Sequence, residues 1–259
     1  MRYLTHYKLQ DKDIITPQSL HKDLFCQILL INLSTFFLSC KATPSMTNDP
    51  LFTKDIYTEP SEVDVNTLTN LGPLRLMAGR WKGALGIDIN PKEQGPERQA
   101  YLDYIDLQPI DPQTNGPQLL YGLRYHQHIV KPGEVETYHD QVGYWLWEPA
   151  TETIIQTLAI PRGQVAMAVG KAKPDAREFE LTAQRGDTAY GICSNPFLEK
   201  FFRTDKWTIK VTIHDEKRWS YRQETTLIID GNKTPFLHID ESILDKIAEP
   251  NPNPLAKHE

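Results

Sequence analysis

The sequence predicts an all-β protein: a ten-stranded closed antiparallel up-and-down β-barrel with short helices, preceded by an N-terminal extension. Three observations carry this. From Arg80 onward apolar residues recur with period two rather than 3.6. The alternating segments are joined mostly by short stretches rich in turn-forming residues. About ten such segments succeed one another, and a meander of that size loses its free edges most simply by closing on itself.

The clearest segment is Trp207 to Ile213, where Trp207, Ile209, Val211 and Ile213 share one face and Thr208, Lys210 and Thr212 the other. Such alternation marks a strand with one face in a core and one in water. Trp219, Tyr221, Gln223, Thr225, Leu227 and Ile229 repeat it after the hairpin-length link Asp215-Glu216-Lys217. Earlier strands are expected over Arg80–Asp88, Arg98–Leu107, Gln118–Val130, Val135–Glu148, Thr153–Ile160, Gln164–Lys171 and Arg177–Gln184, and a short one over Pro235–Ile239. Lys131–Glu134 and Pro149–Glu152 have turn chemistry, and Asp111–Pro117 is a longer loop. Two short helices are expected: Pro196–Phe202, with proline at its start, and Asp240–Ile247, with Asp240 as N-cap. The barrel domain then spans residues 66–248 and residues 249–259 form a flexible tail. A barrel of this size encloses a cavity for one small ligand.

Residues 1–60 form the extension. Leu24–Cys40 is uncharged over 17 residues but contains Gln27, Asn32, Ser34 and Thr35, and sits at the short limit for a membrane span. The preceding stretch carries Asp11, Asp13 and Asp23, unlike the short basic start of a signal peptide. Phe37-Leu38-Ser39-Cys40 resembles a lipoprotein cleavage site, whereas Met46 opens a polar stretch suited to an alternative start. The expected location is cytoplasmic; if residues 24–40 act as signal or anchor, the protein is membrane-anchored or exported.

Apolar residues make up 39% and the net charge is -6. The first figure is enough to fill a core. The second, with no Lys/Arg-rich run, excludes nucleic acid as a natural partner. Of Cys26, Cys40 and Cys193 only the last lies in the barrel, so the barrel has no internal disulfide, and Cys193 reads as a small buried apolar residue. No P-loop, dinucleotide fingerprint or G-x-S-x-G occurs.

Gly79-x-Trp81-x-Gly83 opens the first strand, where Trp81 can plug a barrel base and glycines allow close backbone approach. His126 and His128 lie on one strand face; with His139 they could form a three-imidazole metal set, but a solvated pair is the simpler account. Strand alternation puts His139 on one face with Gln141, Gly143, Trp145 and Trp147, a face suited to the interior. Arg124, Arg222 and Glu224 read as solvated surface. Arg162, in Ile160-Pro161-Arg162-Gly163, is expected at a rim turn, either as an ordinary charge or as a fork for a carboxylate.

The stretches LGPLRLMAGRWKGALGID, YHDQVGYWLWEPATETIIQTLAIPRG and TPFLHIDESILDKI resemble the nitrobindin-like haem-binding β-barrel family, its bacterial branch in particular, over about residues 66–248. That resemblance implies a barrel related to fatty-acid-binding proteins, with ferric haem b in its mouth held by one histidine and with chemistry towards nitric oxide and peroxynitrite. His238 matches the iron ligand and His139 a distal position. The candidate haem-contacting residues are therefore His238, His139, Trp81 and Arg162, with Asp240 as partner of His238 or helix cap. Where the family commonly has glycine two places after Gly83, this chain has Leu85, with Gly86 next. The implied activity is binding of nitric oxide and isomerisation of peroxynitrite to nitrate; the alternative is a barrel binding a fatty acid or other apolar ligand without redox chemistry. A homodimer is compatible with everything the sequence shows.

Overall fold

A computed structural model describes residues 55–257; the candidate anchor at Leu24–Cys40 and the start at Met46 lie outside the described residues. The chain runs β1 (Gly79–Lys92), β2 (Gly95–Pro109), β3 (Gln113–Asn115), β4 (Gln118–Val130), β5 (Thr137–Glu148), β6 (Thr153–Ile160), β7 (Gln164–Lys171), β8 (Glu178–Arg185), β9 (Gly191–Ser194), β10 (Phe202–Asp215), β11 (Arg218–Ile229) and β12 (Phe236–Ala248). Around the wall the order is β2-β1-β12-β11-β10-β8-β9-β7-β6-β5-β4, and pairing of β2 with β4 from Leu102↔Val130 to Pro109↔Leu123 closes the ring. The wall thus has 11 strands. Ten are the long strands that alternation marks. The eleventh, β9, is only four residues long, too short for a periodic signal, and wedges parallel to β8 beside β7.

One end is closed. The turns of a 3-10 helix, Gly72–Met77, place Leu71, Leu74 and Met77 against Trp81 and Trp147, all of them 0–2% exposed. Above this base the inner face becomes polar. Gln127 donates to both carboxylate oxygens of Asp103 (3.0 and 3.1 Å) and to the Tyr221 hydroxyl, which itself donates to Asp103 at 2.6 Å. Gln141 and Gln156 donate to the Tyr125 hydroxyl. These groups are buried and cross-bonded, as buried polar groups must be. Above the base the interior thus carries a buried polar layer, with the space towards the open end on its far side.

Three further expectations are corrected. Asp240–Ile247 is not a helix but part of β12, bonded to β1 on one side and β11 on the other. Two hydrogen-bonding neighbours outweigh the helical propensity of this stretch. Cys193 is exposed, on the short β9. Residues 249–257, expected as a flexible tail, are docked: the Asn253 side chain is fully buried, accepts from the Thr67 backbone and donates to Val65 and Asp111. By contrast Pro196–Phe201 is helical as expected. Asn195 caps it, its side chain accepting from the amides of Phe197 and Leu198. Among the described residues no helix is long and apolar enough to cross a membrane.

Candidate functional site

The open end gathers the ends of β1, β5 and β7, the turn at Ile160–Gln164, the helix Pro196–Phe201 and the start of β12. Two devices aim side chains into it. In β12 strict alternation puts His238, Asp240, Ser242 and Leu244 inside. In β1 the register slips between Gly83 and Gly86 against β2 and between Lys82 and Ile87 against β12. This bulge throws Leu85 out (84% exposed) and reverses the parity of the rest of the strand, so that Asp88 and Asn90 point inward. Gly86 is required there, since a Cβ would lie 2.0 Å from the Tyr101 ring. Leu85 and Gly86 are thus the trace of the bulge in the sequence.

His238 is 27% exposed at its side chain. Its Nε2 lies 2.8 Å from Asp88 Oδ1 and 3.4 Å from Asp240 Oδ2. The other oxygen of Asp88 accepts from the Tyr138 hydroxyl and from Asn90 Nδ2. His139, on the inner face of β5, holds Gln141 Oε1 at 3.1 Å. Arg162 reaches across the rim and donates to the Tyr138 carbonyl at 2.7 Å. The turn carrying it is tied to the neighbouring helix, because Asn195 donates to the Arg162 carbonyl.

The electrostatics separate the two imidazoles. Burial keeps His139 neutral, pushing its pKa down, and the Arg162 guanidinium adds to the effect. Burial works the same way on His238, but the hydrogen bond to Asp88 and the charges of Asp240 and Asp88 outweigh it, and its pKa rises. Burial raises the pKa of Asp88, yet its bonds from His238 and Tyr138 hold it below the ordinary value. Burial, with the nearby charges of Asp88 and Asp103, pushes Asp240 up to about 7 despite the attraction of His238.

A pH dependence is expected from these shifts. Asp240 binds its proton more tightly folded than unfolded, so its contribution falls as pH rises from its ordinary 3.8 to about 7. His238 contributes fully below its ordinary 6.5 and loses this as pH rises through its raised folded value. Asp103, which burial pushes up to about 6, acts with Asp240; His139, held below its ordinary 6.5, acts oppositely as pH falls through 6.5, and Asp88 oppositely only in acid, below 3.8. The metal-free protein should therefore melt at higher temperature near pH ~5.5 than near pH ~8. Asp240→Asn should flatten that slope. Thermal unfolding across pH checks it; an equal slope in the variant would remove Asp240 from this role.

Of the residues singled out from sequence, His238, His139 and Arg162 come together at the mouth. Trp81 does not. It lies in the closed base, its indole N–H donating to the Met77 carbonyl at 2.7 Å and its ring edge-on to Trp219. The three-imidazole set does not form either: His126 and His128 point outward, onto Asp140 and Thr137, while His139 points in. Arg222 and Glu224 pair on the outer surface, as expected. Sequence reasoning missed Asp88, Asn90 and Tyr138; only recognition of the bulge would have turned Asp88 inward.

The model of the THAP4-like, heme-binding beta-barrel domain family matches residues 70–246. No curated protein matches the chain. Among solved structures, a crystal structure of Rv2717c from M. tuberculosis is similar at 19% identity and a TM-score of 0.49, over 71% of this chain and 99% of that one. Because the family match spans most of the 259 residues, the chain belongs to the THAP4-like, heme-binding β-barrel domain family.

Proposed function

We propose that the mouth of the barrel binds haem b with His238 as the axial ligand, and that the protein binds nitric oxide and converts peroxynitrite to nitrate. The observation that supports it is a partly exposed imidazole on the inner wall of the mouth in a chain of a haem-binding family. The residues there fit the group in donor type. A neutral imidazole nitrogen is a proper ligand for haem iron, and His238 Nε2 becomes free for one when it gives up a single hydrogen bond to Asp88. Asp88 keeps the bonds that its other oxygen accepts from Tyr138 and Asn90, so the carboxylate stays anchored when Oδ1 releases the imidazole. Arg162 stands at the rim, where a guanidinium can pair with a propionate. Phe197 and Phe202, 60% and 39% exposed beside the same rim, offer apolar cover for a flat ring.

When bound, ferric haem supplies a Lewis-acidic iron for nitric oxide or peroxynitrite. The chain's own part is to ligate through His238, to keep His139 unprotonated facing the same mouth, and to confine the ligand above the closed polar layer. That layer argues against the fatty-acid reading, since an acyl chain would displace the bonds among Asp103, Gln127 and Tyr221.

Hemin titrated into the full-length apoprotein should give a Soret band distinct from free hemin and saturate at one equivalent. Stopped-flow decay of peroxynitrite should then be faster than with equal free hemin, with nitrate as product. No shift in the band defeats the haem assignment; a normal band with unaltered decay defeats the peroxynitrite assignment alone.

A further inference from the structure

The same mouth carries a second set of donors. One ligand atom each from Asp88, His238 and Asp240 lies within 4.8 Å of the others. The imidazole nitrogen already sits 2.8 and 3.4 Å from the two carboxylates. Ligands about 2.0–2.2 Å from a tetrahedral zinc ion are roughly 3.3–3.5 Å apart, so little movement is needed to close the set around an ion. The strands place all three: the β1 bulge turns Asp88 inward, and β12 alternation puts His238 and Asp240 on one face, with Asp88 paired across to Asp240 in the ladder.

Two further features ask for a cation. Asn90 is 8% exposed, its amide is seated on Asp88, and its Oδ1 has no hydrogen-bond partner. The Asp240 carboxylate accepts no hydrogen bond from the described residues, its close polar contact being His238. Two carboxyl groups crowd one imidazole in a partly desolvated place, and groups so placed need pairing or a metal.

We infer that Asp88, His238 and Asp240 form a three-ligand site for a divalent first-row metal ion such as zinc, and that this ion competes with haem for His238 Nε2. A nitrogen with two carboxylate oxygens and no thiolate suits zinc, manganese or ferrous iron and not copper(I). Three protein ligands leave a further position open towards the mouth. The competition rests on the haem reading; the ion site does not.

The test uses full-length protein without an affinity tag, stripped with a chelator and titrated with cobalt(II), monitored by its visible absorption and by displacement with zinc. One equivalent should bind. Asp240→Asn and Asp88→Asn should each weaken binding by at least about 100-fold, the upper end of what loss of an outer-sphere partner costs, with circular dichroism unchanged. Zinc-loaded protein should take up hemin more slowly than stripped protein. Cobalt binding that is absent in the wild type, or equal in both variants, overturns the site. So does loss of binding when the outward His126 and His128 are replaced by alanine. If one variant does not fold, the other and the histidine control still decide. Equal hemin uptake with and without zinc overturns only the competition, and no hemin uptake by any form overturns the haem reading and the competition with it, leaving the ion site standing.

Discussion

Replacing His238 by glutamine is expected to abolish the Soret shift on hemin titration and to weaken haem binding by at least about tenfold, some 1.4 kcal/mol. Glutamine is the informative choice. Alanine would also leave Asp88 Oδ1 and Asp240 facing each other with no imidazole between them, and removing one partner of a buried pair destabilises in its own right. Glutamine keeps an N–H for Asp88 but cannot ligate iron. The expected residual binding comes from His139, which stays neutral and faces the same mouth. His139→Ala alone should change the spectrum little, and the double variant should bind no haem specifically. The haem affinity of the wild type should also fall in acid. The proton that Asp88 and Asp240 help His238 to hold must leave before the nitrogen can ligate. A His238→Gln variant that still gives the wild-type Soret band with hemin would place the ligand elsewhere.

How far the sequence reveals this arrangement depends on the kind of signal. Nine of the long strands, and the start of β12, are legible because each buries one face, and burial enforces alternation: Trp207, Ile209, Val211 and Ile213 are all 7% exposed or less. The inward facing of His139 is legible for the same reason, through Gln141, Trp145 and Trp147. Alternation fails where the ladder is interrupted. Counting from Trp81 by twos puts Ile87 and Ile89 inside and Asp88 outside, and the bulge at Ala84–Leu85 inverts this. The largest gap in the reading of the site is therefore one inserted residue. Asp240–Ile247 misleads differently: Ile239, Ile243 and Ile247 recur every four residues, as on a helix, yet they are the outward positions of a strand, with Ile243 and Ile247 more than half exposed. The buried polar layer cannot be read from strand count alone, because strand number sets the diameter and the inward side chains decide what lines it.

Trp81→Ala should cost about 3–5 kcal/mol of stability, the range for removing a large buried aromatic. The indole is fully buried, is bonded to the Met77 carbonyl, packs edge-on to Trp219 at 6.0 Å and lies beneath Lys246 Nζ at 5.1 Å. Its loss opens a hole where the 3-10 helix Gly72–Met77 seals the base. The helix cannot move inward to fill the vacated volume, because Gly72 sits at φ +53 tight against the Trp147 ring. Trp81→Phe should cost less, keeping most of the volume and losing one hydrogen bond, about 1 kcal/mol. The position in the fold separates this effect from binding. Trp81 lies seven places before Asp88 on β1, at about 3.3 Å per residue roughly 20 Å from the mouth. Trp81→Phe should therefore unfold at lower urea than the wild type while giving the same Soret band with hemin. An unchanged urea midpoint with a shifted band would reverse both halves of the assignment and return Trp81 to the haem site.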